Sequence, residues 1–153
     1  MKREISRILV VGLLLAFSLP GMAQELGIWR AVSKSARSTT GDVGFSDLKI
    51  SINYVTFAIV RARDLAPGEV SSVFDADSNA SAKGHLYKLD IPASKRFLRR
   101  NSLCGSEDTE WMATFVEGRF LHVAFFSGQK PPVFTVDAIS NSTDLCGIYT
   151  YGR

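Results

Sequence analysis

Beyond residue 24 the chain alternates apolar and polar positions with a period of two. Apolar residues rarely recur at i, i+3, i+4 and i+7, so strands are predicted rather than helices. Leu48, Ile50 and Ile52 alternate with Lys49, Ser51 and Asn53. After Tyr54 the parity switches to Val55, Phe57 and Ile59, and a phase slip of one residue predicts a bulge or tight turn at Asn53-Tyr54. His85 to Ile91 alternates until Pro92 ends it. Phe134-Thr135-Val136 is short and β-prone after Pro131-Pro132, and Gly147 to Tyr151 makes a last strand. Strands are predicted around residues 27–32, 43–52, 55–61, 70–74, 85–91, 110–116, 119–126 and 147–151. The segment 92–103 reads as extended or as one short helix. The fold class is all-β, mainly antiparallel, with about eight strands, which suits an up-and-down barrel or a compact sandwich.

The clearest element is a hairpin. Trp111 to Val116 and Arg119 to Phe126 flank Glu117-Gly118, read as a two-residue turn. That register places Trp111, Ala113, Phe115, Phe120, His122 and Ala124 on one face, and Met112, Thr114, Val116, Leu121, Val123 and Phe125 on the other. Both faces are apolar, whereas a surface hairpin keeps one face wet. The hairpin is therefore expected to be covered on both sides, or to leave one face open for binding. Trp111, Phe115, Phe120 and His122 are candidate binding residues on that basis.

The first 23 residues read as a cleavable signal peptide. Lys2, Arg3 and Arg7 precede an apolar run from Ile8 to Leu19, Pro20-Gly21 breaks it, and Gly21-Met22-Ala23 offers small residues before Gln24. The run of 12 residues is shorter than the roughly 20 needed to span a bilayer, so no stable membrane anchor is expected. Residues 24–153 would form a single β-rich domain, periplasmic or secreted after bacterial Sec-type export. The whole chain has 18 basic and 15 acidic residues. Removing Lys2, Arg3, Arg7 and Glu4 leaves 15 against 14, a net of +1. No nucleic-acid partner follows from so small a charge. A local cluster survives at Lys95-Arg96-Phe97-Leu98-Arg99-Arg100. Lys95, Arg96, Arg99 and Arg100 read either as a solvated loop or strand edge, or as a docking patch for an acidic partner.

Cys104 and Cys146 are the only cysteines. An even count in an exported chain predicts a disulfide between them. Neither has the Cys-x-x-Cys and His spacing of a zinc site.

Gly27-Ile28-Trp29 opens the first predicted strand, and this Gly-x-Trp resembles the opening of lipocalin-type barrels. The resemblance implies that Trp29 packs across the closed end of a lipocalin-like barrel. Leu103-Cys104-Gly105, Phe125-Phe126-Ser127-Gly128 and the closing Leu145-Cys146-Gly147-Ile148-Tyr149-Thr150-Tyr151 resemble small secreted proteobacterial proteins of uncharacterised function. That similarity covers mainly residues 26–60 and 103–153, and implies a bacterial periplasm but no activity.

Catalytic signals are sparse. His122 reads as a core histidine on the hairpin, and His85 as an exposed residue at a strand start. Neither accompanies a nucleophile elbow. Asp75-x-Asp77-x-Asn79 has the first ligands of a calcium loop, but Ala80 and Leu86 stand where glycine and glutamate belong; no metal site is expected. No cofactor is implied. The expected function is a non-catalytic binding protein for a small apolar ligand or a protein partner. The alternatives are an inhibitor or immunity-type protein against a secreted enzyme, and a small periplasmic hydrolase using a histidine with a carboxylate.

Overall fold

The computed structural model describes residues 24–77 and 83–153; residues 1–23, read from the sequence as a leader, and Asn79 lie outside them. Among the described residues eight antiparallel strands close into a barrel in sequence order. They are β1 (Gly27–Ala31), β2 (Val43–Ser46), β3 (Lys49–Ile52), β4 (Val55–Leu65), β5 (Gly84–Ile91), β6 (Thr109–Glu117), β7 (Phe120–Phe126) and β8 (Leu145–Gly152). The barrel closes where Arg30 and Ala31 of β1 pair with Gly152 and Tyr151 of β8. Three short helices decorate it: α1 (Lys34–Thr39), α2 (Pro67–Phe74) and α3 (Val136–Ser140).

The alternation read from the sequence sets the inside and outside of this wall. Ile50, Ile52, Ile59, Tyr87, Met112, Leu121, Phe125 and Tyr151 belong to one buried cluster with Trp29 that fills the lumen. The opposite face of β6 and β7 carries Trp111, Ala113, Phe115, Ala124 and Phe126, which form a second cluster with Val70 and Val73 of α2 and with Phe134. The hairpin is thus covered on both sides. One face looks into the barrel and the other lies beneath α2 and the chain around Phe134.

Several expectations are corrected in detail. Residues 70–74 are the end of α2, not a strand. Pro67 sits in the first helical turn, where its missing N–H costs nothing. Glu69 accepts from the Ala66 N–H at 3.0 Å. Val70 and Val73, three apart, put one apolar stripe on the barrel. The predicted strand 43–52 is two strands, because Asp47-Leu48 makes a turn closed by Ser46 and Lys49; the split restores the count of eight. Phe134-Thr135-Val136 is not a strand: Thr135, itself extended, caps α3 by accepting from the Ala138 N–H, and Val136 is the first helical residue. Segment 92–103 is mostly extended or turn, with a turn at Ala93-Ser94 closed by the Lys95 N–H on the Pro92 carbonyl, and it holds one short 3-10 helix at Leu98–Arg100, as one of its two readings expected.

Two of the three two-residue hairpin turns follow backbone sterics. Asn53 and Tyr54 both take positive φ, 47° and 65°, as a type I′ connection between β3 and β4 requires, so the phase slip there is a turn. In the β6–β7 hairpin Glu117 pairs with Phe120, and the turn is Gly118-Arg119 rather than Glu117-Gly118. Gly118, at φ 56°, takes the first turn position because a glycine there tolerates the left-handed backbone. The register shifts by two residues from the expected one, and a shift of two leaves every side chain on its expected face.

Gly84 is the point of closest approach between α2 and the barrel. A Cβ there would lie 2.7 Å from Val70 Cγ2 and 2.9 Å from the Thr114 carbonyl oxygen. Gly84→Ala is expected to lower stability by about 1–3 kcal/mol through overpacking, measured by urea unfolding; an unchanged midpoint would show that α2 is free to lift.

Candidate functional site

One end of the barrel, the floor, is closed by residues 24–26. Trp29 is wholly buried and donates its indole N–H to the Glu25 carbonyl at 2.7 Å. The Arg153 guanidinium lies 4.2 Å from the Trp29 ring centroid and donates to the Leu26 carbonyl at 3.0 Å. The Glu25 carboxylate is buried too. Its Oε1 lies 2.5 Å from His85 Nδ1 and accepts from the Thr114 hydroxyl at 2.7 Å, while Oε2 has no partner among the described residues. Burial pushes the Glu25 carboxyl up, but the hydrogen bonds with His85 and Thr114 and the electrostatic attraction of His85 outweigh it, so the net shift is downward. His85 is therefore buried, contrary to its expected exposure: it points into the lumen and is capped by a carboxylate 60 residues away.

The opposite end, the rim, carries α1, the Asn53-Tyr54 turn and the long connection from Pro92 to Asp108. Tyr149 and Tyr151 reach up the lumen, and the Tyr151 hydroxyl shares a 2.7 Å hydrogen bond with Thr40 Oγ1 just past α1. Phe97 and Leu103 plunge in from the connection and are buried with them. The Cys104–Cys146 disulfide is formed and ties this connection to the start of β8.

The predicted binding residues do not form one site. Trp29 lies at the floor, shut away from solvent. Trp111 and Phe115 are buried outside the barrel, Trp111 under the Lys88 ammonium at 4.9 Å. Phe115 stacks against His122 with ring centroids 5.9 Å apart, and His122 is half-buried rather than core. Its Nδ1 lies 3.2 Å from Thr150 Oγ1. Burial depresses its basicity, with Glu117 pulling weakly the other way. Phe120, expected on the same apolar face, is about half exposed.

The basic cluster stands at the rim as a loop and not as a strand edge. Arg96 folds back onto the Ala93 and Lys95 carbonyls. Arg99 and Arg100 both hold positive φ, 54° and 60°, a conformation costing a non-glycine residue about 1 kcal/mol each. The loop is clamped around them. Phe97 N donates to Asn101 O at 2.8 Å, Asn101 N to Leu98 O at 3.0 Å, and Asn101 Nδ2 to the Ser38 carbonyl on α1 at 2.9 Å. Both arginines are exposed, and neither has a carboxylate within ion-pair distance among the described residues.

Beside Leu98 opens a groove of about 680 Å³ on the outer wall, with Ile28, Asp42, Gly44, Ser51 and Tyr54 among its lining residues. Its floor follows from register. Gly44 pairs with Ile28 on one side and Ser51 on the other, and a position without a side chain leaves a depression between them. Leu98 roofs one end against Gly41, whose added Cβ would lie 3.1 Å from Leu98 Cδ1. Tyr54 is fully exposed and Ile28 largely so. None of Ile28, Gly44, Tyr54 and Leu98 carries a sequence signal for binding, because four chain segments meet there only in the folded barrel.

A grouping of three carboxylates also escaped the sequence. Asp90, Asp108 and Glu110 bring oxygens within 4.8 Å of one another at the surface. Lys88 Nζ already contacts Glu110, and Asp108 accepts from the Ala93 N–H at 2.7 Å. Asp75 serves as the left-handed C-cap of α2. No helix among the described residues is long and apolar enough to cross a membrane.

The chain matches no protein-family model, no curated protein and no solved structure. What the geometry defines is a disulfide-tied antiparallel barrel of eight strands, with a filled lumen and a grooved, basic rim.

Proposed function

We propose that the chain is an exported, non-catalytic protein that binds a protein partner through its rim. The packing of the lumen carries this reading. Trp29, Ile50, Ile52, Met112, Leu121, Phe125 and Tyr151 each have 0 % of their surface accessible. A void large enough for water would expose some of that surface, so these side chains border no chamber for an apolar ligand. Barrels of this strand number either fill with side chains or hold one small ligand, and here the side chains favour the first. Recognition then falls to the outside, where Tyr54 and Arg99-Arg100 present the residue types that dominate protein interfaces.

Other features support parts of the wider reading. The leader pattern and the disulfide fit a periplasmic or secreted location. Trp29 across the floor, opened by Gly27 at φ 109° and covered by Arg153, favours a lipocalin-like barrel. Against a hydrolase stand the sequestration of His85 beneath Glu25 and the stacking of His122 on Phe115. An inhibitor or immunity-type role would use the same rim, since a clamped loop loses little entropy on docking.

Photo-crosslinking in envelope fractions tests the rim. A photoreactive residue at position 54 or 100 is expected to join a discrete partner, whereas one at exposed Val60 or Val133 is not. Equal labelling from all four positions, or uptake of hydrophobic probes seen together with a ligand-bearing native mass, would overturn it.

A further inference from the structure

We infer that the rim accepts an extended acidic segment of a partner protein, with carboxylates on Arg99 and Arg100 and a neighbouring apolar side chain in the groove between Ile28, Tyr54 and Leu98. This rests on the rim reading above and names the chemistry of the partner.

Charge complementarity is the first argument. Two adjacent guanidiniums face solvent without a carboxylate among the described residues to pair with. Guanidinium forks match carboxylates in bidentate geometry. With a net charge of only +1 beyond the leader, from 15 basic and 14 acidic residues, these arginines are a local feature and not part of a field that attracts polyanions at large. An acidic protein segment is favoured over nucleic acid or an anionic membrane for that reason.

Backbone conformation is the second. Consecutive left-handed residues that are not glycine are uphill, and the surrounding hydrogen bonds to Asn101 hold them there. Glycine or asparagine would fill either position at lower cost. As at Asn53-Tyr54, the left-handed pair makes a tight turn, here closed by the Asn101 N–H on the Leu98 carbonyl, and it holds two exposed arginines in one fixed presentation that loses little entropy on docking.

The groove supplies the third. Its depression at Gly44 and its Leu98 roof adjoin the loop directly, because Leu98 precedes Arg99 in the chain. A segment lying along it would meet Asp42, whose Oδ1 accepts from the Ala31 N–H at 2.9 Å and whose second oxygen would take a backbone N–H of the visitor. The repulsion that Asp42 offers a carboxylate places the acidic residues at the arginine end.

The test pairs binding with stability. A fluorescent acidic peptide with a central leucine–phenylalanine pair is titrated against the chain, alongside its lysine-for-glutamate counterpart and phosphatidylglycerol vesicles. The acidic peptide is expected to bind, weakening with salt, and the other two are not. Arg99→Gly/Arg100→Gly is expected to weaken binding about tenfold or more, as the loss of two exposed charge pairs allows. The same variant should melt no lower than the native chain, since the strain is relieved. Lys83→Gln/Lys130→Gln removes two exposed charges elsewhere and should leave binding intact. Equal binding of both peptides, binding to vesicles instead, no binding at all, or full binding by the glycine variant each overturns the inference. A partner still cross-linked from position 54 in the glycine variant would overturn the acidic assignment alone, leaving the rim reading standing. Loss of every rim cross-link in the native chain would remove the rim reading itself.

Discussion

Cys104→Ser/Cys146→Ser is expected to lower stability by about 4 kcal/mol, the chain-entropy value for a loop of this length. The two cysteines are 42 residues apart, and the closed loop contains β6, β7 and the whole hairpin between them. Without the bond, the unfolded chain regains the freedom to separate the long Pro92–Asp108 connection from β8. The folded state also loses a tether at the rim, where Phe97 and Leu103 must stay inserted in the lumen. For a chain of this size the melting temperature should fall by roughly 10–20 °C. Reductant should reproduce the effect in the native chain. If the serine variant and the reduced chain both melt with the oxidised protein, the link is ornamental and the rim is held by side-chain packing alone.

The next largest effect is expected from Glu25→Ala, about 3 kcal/mol, the scale for leaving buried hydrogen-bonding groups without their partner. Alanine strands His85 Nδ1 and the Thr114 hydroxyl inside the floor. Glu25→Gln keeps the shape and one acceptor, so its cost should be nearer 1 kcal/mol. A pH dependence follows. Because the folded-state value of Glu25 lies below its ordinary 4.5, the unfolded chain binds the proton first as pH drops. The stabilisation is complete above the ordinary value and is lost as pH falls through the lower folded one. Urea midpoints from neutral pH down to about pH 3 should show this loss in the native chain and a flatter profile in Glu25→Gln. Parallel profiles for the two would mean that other carboxylates govern the acid transition.

What was legible in the sequence is what a period of two encodes. The faces of β6 and β7 were set by alternation, and an error of two in register could not disturb them. The turn at Asn53-Tyr54 announced itself through parity. Features that depend on length or distance were hidden. Helix α2 is too short to show a helical period, and only Pro67 marked its start. The Asp47-Leu48 turn was masked because apolar residues continue on both sides without a glycine or proline. Glu25 and His85 meet across 60 residues, and no local pattern ties a carboxylate just before β1 to a histidine on β5. The basic cluster was visible as charge, but arginine has no preference for positive φ, so the strain at Arg99 and Arg100 could not be read. The groove is a product of closure: Gly44 is an ordinary strand residue until Leu98 arrives from the far side of the rim.

The seam between β1 and β8 has a kinetic corollary. Arg30 and Ala31 pair with Gly152 and Tyr151 there, the Val32 and Ser33 N–H groups donate to the Thr150 carbonyl, and the contacts of Arg153 with Gln24 and Leu26 finish the same end. The ring cannot shut until β8 has been synthesised, because β1 and β8 are neighbours in it. Pairings so distant along the chain also form slowly. Until both staves have been made, the sheet keeps two open edges, each a row of unpaired N–H and C=O groups.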